Sequence, residues 1–140
     1  MKPGPIILIE DDADDKAIID EIISEMKLPN KLHWFTNCPD AYHYLDTTVD
    51  RPFLILCDVN LPIQSGTEFK KQVDAHPELR KKSIPFVFYT TSASKALVEA
   101  AYTEMTVQGF FKKKNSYEEV KENIRLILDY WSECLHPNSD

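Results

Sequence analysis

Long apolar runs are missing from this sequence. The longest run, Phe53–Cys57, has five residues. A membrane-spanning helix needs about 20 apolar residues, and the core of a signal peptide needs about 7 to 15. We therefore expect neither a membrane segment nor a secretory leader.

Positive charge is also scarce. The 140 residues include 16 Lys and Arg against 23 Asp and Glu, which gives a net charge of −7. This balance excludes binding to nucleic acid through a basic surface. Two short cationic runs depart from it: Arg80–Lys82, which we expect in a loop, and Lys112–Lys114.

Cysteine is rare and unevenly spaced. The three cysteines, Cys38, Cys57 and Cys134, are an odd number and lack the spacing of metal ligands. This usage is typical of reduced thiols, so we expect a cytoplasmic protein. Cys57 ends the longest apolar run and should lie in the core.

The apolar residues that are present fall into short runs, each followed by a segment with helical periodicity. Unbroken apolar runs of this length are typical of strands buried on both faces of a parallel sheet. We predict an α/β fold, a doubly wound parallel sheet of five strands with helices on both faces and five strand–helix pairs. A single domain would span 1–140, with a core of about 5–134 and a frayed tail at 136–140. The predicted strands are 6–9, 32–36, 53–58, 86–89 and 109–112.

Polar side chains stand where four of these strands end. Glu10 and Asp11 follow the first strand, Asp58 ends the third, Thr90 follows the fourth and Lys113 the fifth. In a parallel sheet these ends lie on one edge, where open α/β sheets bind ligands. Residues a hundred positions apart should therefore form one site.

The types of residue at this edge indicate a chemistry. Clustered carboxylates stay ionised only beside a cation, and oxygen ligands without His or Cys favour Mg²⁺. The carbonyl of Asn60 offers a further ligand, while Lys113 and Thr90 suit phosphoryl oxygens. No His, Cys or Ser is placed as a nucleophile, so we expect a carboxylate, Asp58, to form an aspartyl-phosphate.

The same residues carry a resemblance that covers about 5–134. In order along the chain, they resemble the receiver domain of two-component response regulators: Glu10-Asp11, Asp58-x-x-x-Pro62-x-x-x-Gly66, Thr90 and Lys113. The last helix, which carries Trp131, is similar to that of small regulators paired with phytochrome-type kinases.

The resemblance implies that Asp58 receives a phosphoryl group from a sensor histidine kinase or a phosphotransfer protein. It further implies roles for the remaining residues at this edge. Asp11, Asp58 and the carbonyl of Asn60 would bind Mg²⁺, Glu10 would reach the ion through water, and Thr90 and Lys113 would hold the phosphoryl oxygens.

The resemblance also implies how the signal leaves the domain. The protein would be a single-domain regulator that assists its own phosphorylation and dephosphorylation without being an enzyme in the ordinary sense. Phe110 takes the place of an aromatic residue that turns inward on activation. Apart from the resemblance, we expect the change to be read at the elements nearest Thr90 and Lys113, which are the fourth helix, the fifth strand and the last helix. A partner protein or a second copy of the chain would bind there, where Tyr102, Lys112 and Tyr130 are exposed, and a homodimer through the helix that carries Trp131 is the alternative.

Three positions depart from the family pattern. Lys114 stands where a proline usually follows the lysine, which leaves the isomer of that peptide open. Thr91 stands where a small residue is common and should slow access to the phosphoryl group. Lys112 adds a charge where an apolar strand residue is usual.

Two further expectations concern residues near or outside the site. Asp12 is interpreted only as the start of a helix, and both tryptophans, Trp34 and Trp131, are expected to lie far from the site.

Three other functions share part of this pattern. A haloacid-dehalogenase-like phosphatase also uses an aspartyl nucleophile, but it needs a second aspartate at the position of Asn60. A flavodoxin binds a phosphate after its first strand, where Glu10, Asp11 and Asp12 would repel it. A degenerate receiver that only binds proteins remains the alternative, although such domains usually lose the acid pair, the acceptor or the lysine.

Overall fold

Strands and helices alternate along residues 4–138, except that two helices follow the third strand; these are the residues described by the computed structural model of the chain. No helix in this range is long and apolar enough to cross a membrane. The elements are β1 Ile6–Ile9, α1 Ala13–Glu25, β2 Leu32–Phe35, α2 Cys38–Thr47, β3 Leu54–Cys57, α3 Gly66–Ala75, α4 Pro77–Lys82, β4 Phe86–Thr90, α5 Lys95–Glu104, β5 Gly109–Lys112 and α6 Tyr117–Glu133.

All strand pairs are parallel, and the order across the sheet is β2-β1-β3-β4-β5. The chain starts the sheet at β1, adds β2 on one side and then β3 on the other. In doubly wound folds this reversal opens a crevice at the carboxyl ends of the two inner strands. Here those ends are Ile9 and Cys57, which are partners in the ladder. The predicted fold class is confirmed.

Helices cover both faces of the sheet. Successive strand residues point to opposite faces, and both sets of side chains are apolar, so both faces must be buried. Ile6 and Leu8 pack on the side of α1 and α6, while Ile7 and Ile9 pack on the side of α2, α3 and α5. All four β1 side chains are buried, which explains why the strand has no polar alternation. Cys57 is fully buried on the α2 and α3 side, as expected.

Side-chain caps start several helices. The Ser94 hydroxyl accepts a hydrogen bond from the backbone of Leu97, and the Ser116 hydroxyl accepts one from Glu119. A capping box links Ser65 and Glu68 at the start of α3. These bonds satisfy N–H groups that have no partner within the helix.

The short helix α4 was missed. It starts directly after α3, because the His76 ring accepts a hydrogen bond from the backbone of Leu79 and Pro77 suits the first position of a helix. Arg80–Lys82 form its last turn and do not lie in a loop, and basic residues are favourable at that end of the helix dipole. Six residues are too few to show helical periodicity.

The expected fraying of the tail is wrong for residues 136–138. His136 is 5% exposed and its Nε2 donates a 2.6 Å hydrogen bond to the carbonyl of Phe53. Its ring also stacks on the Phe53 ring at 5.0 Å. Ring stacking and a hydrogen bond to a buried carbonyl both stabilise the packed position of this imidazole. Residues 139–140 of the predicted tail lie outside the described residues.

Candidate functional site

Two buried carboxylates lie side by side at the reversal of the sheet. Glu10 follows β1 and Asp58 follows β3, and the backbone N–H of Asp58 donates a 3.0 Å hydrogen bond to the carbonyl of Ile9. Glu10 is 1% exposed and Asp58 is 8% exposed. Parallel pairing of the two apolar strands therefore places both carboxylates side by side at the carboxyl end of the sheet.

The two oxygens of Asp58 have different surroundings. Oδ1 accepts backbone hydrogen bonds from Val59 at 2.7 Å and from Asn60 at 3.3 Å. Oδ2 faces the ammonium of Lys113 at 3.0 Å. The backbone bonds fix the carboxylate plane, so the Lys113 side of the group is presented to the crevice. The role predicted for the carbonyl of Asn60 stays a prediction.

Glycine at position 66 is required by the closeness of the Asp58 backbone. A Cβ on Gly66 would lie 2.2 Å from the carbonyl oxygen of Asp58. The N–H of Gly66 also donates a 2.8 Å hydrogen bond to the carbonyl of Val59, which closes the loop after β3. Any side chain here would push α3 away from Asp58.

Thr90 and Lys113 reach the same edge through the pairing of β4 with β5. Thr90 is the ladder partner of Lys112, and the N–H of Lys113 donates a 2.7 Å hydrogen bond to the carbonyl of Thr90. Thr90 is buried, with its hydroxyl 3.5 Å from the carbonyl of Ser92. The structure describes no cis peptide among residues 4–138, so the Lys113–Lys114 peptide is trans.

The ammonium of Lys113 lies among carboxylates. Its Nζ is 2.5 Å from Glu10, 2.8 Å from Asp15 and 3.0 Å from Asp58. The sequence predicted a lysine near Asp58 but missed Asp15. Asp15 sits in the first turn of α1, where acidic residues are ordinarily explained by the helix dipole, so its sequence position alone gave no reason to single it out.

Three of the predicted metal ligands come together. Carboxylate oxygens of Glu10, Asp11 and Asp58 all lie within 4.8 Å of one another, with Asp11 exposed and the other two buried. Hard oxygen donors grouped this closely suit Mg²⁺ or Mn²⁺. Asp12 is not among them: its Oδ1 accepts backbone bonds from Asp14 and Asp15 as the cap of α1, as predicted.

Burial and charge shift the proton affinities of the site. Burial raises the pKa of Glu10 to about 7, although the ammonium of Lys113 opposes the shift. For Lys113, burial alone would lower the pKa, but hydrogen bonds to Asp15, Glu10 and Asp58 outweigh it and hold the pKa above its ordinary value. Lys113 is therefore a fixed positive charge, and the buried carboxylate of Glu10 is costly to ionise without further cationic charge.

Trp34 lies beside the site, against expectation. Its indole Nε1 donates a 2.7 Å hydrogen bond to the backbone carbonyl of Glu10. β2 pairs with β1 in register, with Phe35 opposite Ile9, so the ring beside this ladder can reach the end of β1. Periodicity places side chains on a face of a strand, but it does not show which neighbouring strand they lean against.

The elements beside Thr90 and Lys113 carry the predicted exposed residues. Tyr102 on α5 is 52% exposed, Tyr130 on α6 is 60% exposed and Lys112 on β5 is exposed. Phe110 on β5 is half-buried and packs against Phe88, with ring centroids 5.2 Å apart. These positions agree with the predicted outer face, while its role stays a prediction.

Comparisons with known proteins agree with this geometry. A family model, the response regulator receiver domain, matches residues 6–125. The chain is 28% identical to the response regulator Rcp1 of Synechocystis sp., over 95% of this chain and 92% of Rcp1.

Solved structures give the same result. The Mn²⁺-bound form of Rcp1 superposes with a TM-score of 0.83 at 28% identity, covering 95% of this chain and 97% of that chain. The phosphorylated cyanobacterial phytochrome response regulator RcpA gives a TM-score of 0.83 at 25% identity, covering 93% of this chain and 94% of that chain.

Proposed function

Because this chain belongs to the family of response regulator receiver domains, which act in two-component signalling, we propose that Asp58 is its phosphoacceptor. The donor would be a sensor histidine kinase or a phosphotransfer protein. The observation that carries this proposal is the position of the Lys113 ammonium, 3.0 Å from Asp58 Oδ2 in a crevice of acidic residues.

The proposed step is a phosphoryl transfer to a carboxylate. An oxygen of Asp58 attacks the phosphorus of a phosphohistidine, the phosphorus–nitrogen bond breaks, and its electron pair returns to the imidazole. The Lys113 ammonium can then pair with the negative charge of the transferred phosphoryl group, because it already contacts the attacked carboxylate. Thr90 supplies a hydroxyl at the same edge. Water later hydrolyses the acyl phosphate and restores Asp58.

We further propose that Mg²⁺ is the cofactor. Glu10, Asp11 and Asp58 would hold it, with the carbonyl of Asn60 as a further ligand; this set fits because the carboxylate oxygens lie within 4.8 Å. When bound, the cation would neutralise charge on the transferred phosphoryl group and keep the carboxylates ionised. The Mn²⁺ in the crystal structure of Rcp1 supports this expectation by similarity.

Chemical phosphorylation with acetyl phosphate tests the proposal. In the presence of Mg²⁺, intact mass spectrometry should show the addition of one phosphoryl group, and peptide mapping should place it on Asp58. Asp58→Asn should abolish the addition. Asp129→Asn, a change at an exposed acid on α6, should leave it intact and is the matched control. A label that persists on another residue of Asp58→Asn would contradict the assignment.

The output would be a change in binding. We propose that phosphorylation shifts an existing equilibrium of α5, β5 and α6, so that a partner protein or a second copy of the chain binds this face more tightly. Aromatic side chains beside charges, such as Tyr102 and Tyr130, suit such an interface.

A further inference from the structure

The three carboxylate partners of Lys113 fall into two kinds. Glu10 and Asp58 belong to the group of candidate metal ligands. Asp15, whose Oδ2 lies 2.8 Å from the ammonium, does not belong to that group. Among the residues the structure describes, it is therefore the one ion-pair partner of Lys113 with no second task in the proposed chemistry.

This difference matters when the site is loaded. A divalent cation held by Glu10 and Asp58 competes with Lys113 for their negative charge and repels the ammonium directly. Phosphorylation also covers one oxygen of Asp58. The attraction of both residues for Lys113 then weakens, whereas the charge of Asp15 is unaffected.

The backbone holds both partners rigidly. Asp15 is fixed at the start of α1, where its N–H donates to Oδ1 of the cap residue Asp12 at 3.2 Å. Lys113 is fixed by its 2.7 Å backbone bond to Thr90. The Nζ atom of Lys113 lies 5.9 Å from the centre of the Tyr89 ring, so the lysine side chain passes beside this ring toward the carboxylates. The ion pair thus connects two rigid elements, the start of α1 and the end of β5.

We infer that Asp15 is a positioning residue. It holds the Lys113 ammonium at the crevice after the metal and the phosphoryl group have weakened the attraction of Glu10 and Asp58 for this ammonium. The inference rests on the proposed function and adds a residue to it. Asp15 would act through Lys113 alone, without contact to the phosphoryl group or the metal.

Beryllofluoride, a phosphoryl mimic, tests the inference with Asp15→Asn. In excess Mg²⁺ we expect its affinity, measured by calorimetry, to fall about tenfold, which is the size of one hydrogen bond to a charged group. Affinity for Mg²⁺ alone should change by less than about twofold, because a residue outside the ligand group contributes only a screened charge. Asp14→Asn, in the same turn of α1, is the control and should change neither. Asp15→Glu should recover most of the loss.

A double-mutant cycle separates positioning from a merely structural role. In a Lys113→Gln background, Asp15→Asn should cause no further loss of beryllofluoride affinity. A full tenfold loss in that background would overturn the inference. The same cycle in the metal-free protein, measured by urea denaturation, should show that the shifts of the midpoint are not additive; additive shifts would also overturn it.

The outcomes also separate this inference from the proposed function. If the wild type binds no beryllofluoride and Asp58 is not labelled, both fail together. If the wild type binds it and Asp15→Asn binds it equally well, the positioning role alone is wrong.

Discussion

The indole nitrogen of Trp34 donates a 2.7 Å hydrogen bond to the backbone carbonyl of Glu10, so an aromatic ring lies directly beside a candidate metal ligand. The ammonium of Lys16 lies 5.2 Å from the centre of the same ring. Indole emission responds to nearby charge, and the sequence has only two tryptophans. Trp34 is therefore a natural reporter of metal binding.

The first prediction uses this reporter to locate the metal. Titration with Mg²⁺ should change the emission of the wild type and of Trp131→Phe, but not that of Trp34→Phe. Asp11→Ala should weaken the binding on the order of tenfold or more, as expected for a lost ligand. Asp12→Ala should leave the affinity nearly unchanged and cost about 1 kcal/mol of stability, because Asp12 caps α1. Equal losses of affinity in the two variants would mean that the ligand is misplaced.

A second prediction concerns a buried ion pair at the opposite edge of the sheet. Lys70 is 4% exposed, and its Nζ lies 2.8 Å from both Asp74 and the hydroxyl of Thr106. Asp74→Asn would leave the buried ammonium without its counter-charge, so we expect a loss of about 3 kcal/mol in the free energy of unfolding. Lys70→Met should cost less, because Asp74 keeps its two hydrogen bonds from Thr106.

The same pair gives a pH dependence. Burial alone would raise the pKa of Asp74, but hydrogen bonds from Lys70 and Thr106 outweigh it and hold the pKa below the ordinary value of 3.8. A carboxylate with a lowered pKa stabilises the folded state above its ordinary pKa, and this stabilisation is lost as pH falls through the lowered value. Urea denaturation should therefore show a steeper acid loss of stability in the wild type than in Asp74→Asn. Parallel curves below pH 3.8 would contradict this account.

The third prediction concerns the packed tail. The Nε2 of His136 donates to the carbonyl of Phe53, and its Nδ1 accepts a 3.0 Å hydrogen bond from the backbone of Asn138. His136→Ala removes both bonds and the stacked ring, so we expect a loss of about 2 kcal/mol in chemical denaturation. Leu135→Ala changes a fully exposed side chain and should stay within about 0.5 kcal/mol of the wild type. A loss as small as that of Leu135→Ala in the His136→Ala variant would show that the contacts of His136 contribute little to stability.

The sequence was most informative where apolar runs end in polar residues. The carboxyl ends of neighbouring parallel strands must lie at the same edge of the sheet. This constraint places Glu10, Asp58 and Thr90 at one edge, as predicted. The sequence was least informative for contacts between side chains of separate elements. The ion pair of Asp15 with Lys113 depends on how α1 lies over the sheet, and no pattern within α1 encodes that placement.

Burial of a charged residue was equally hidden from sequence. Lys70 lies next to Phe69 on the inner side of α3 and would ordinarily be assigned to solvent. It is buried because Asp74, one turn later, and Thr106, before β5, supply its partners. Such a set of partners exists only once the chain has folded.

The last prediction concerns the face formed by α5, β5 and α6. α5 has one fully buried side chain, Ala101, so little packing holds it to the sheet and a small change at Thr90 can shift it. If the Thr90 hydroxyl turns toward a phosphoryl group, Phe110 can move into the vacated space, because close-packed side chains switch between discrete rotamers. Amide exchange with and without beryllofluoride should therefore differ across residues 94–131. It should not change in α2, which contacts β2 at the other end of the strand order.

Two neighbouring hydroxyls provide the control for this exchange experiment. Thr90→Ala should suppress the change in exchange, whereas Thr91→Ala should retain it, because Thr91 is exposed and Thr90 is buried beside Lys113. Light scattering on the same samples would show whether a second copy binds the altered face. Unchanged exchange across residues 94–131 in a wild type saturated with beryllofluoride would reject this path of signalling, even with Asp58 as the phosphoacceptor.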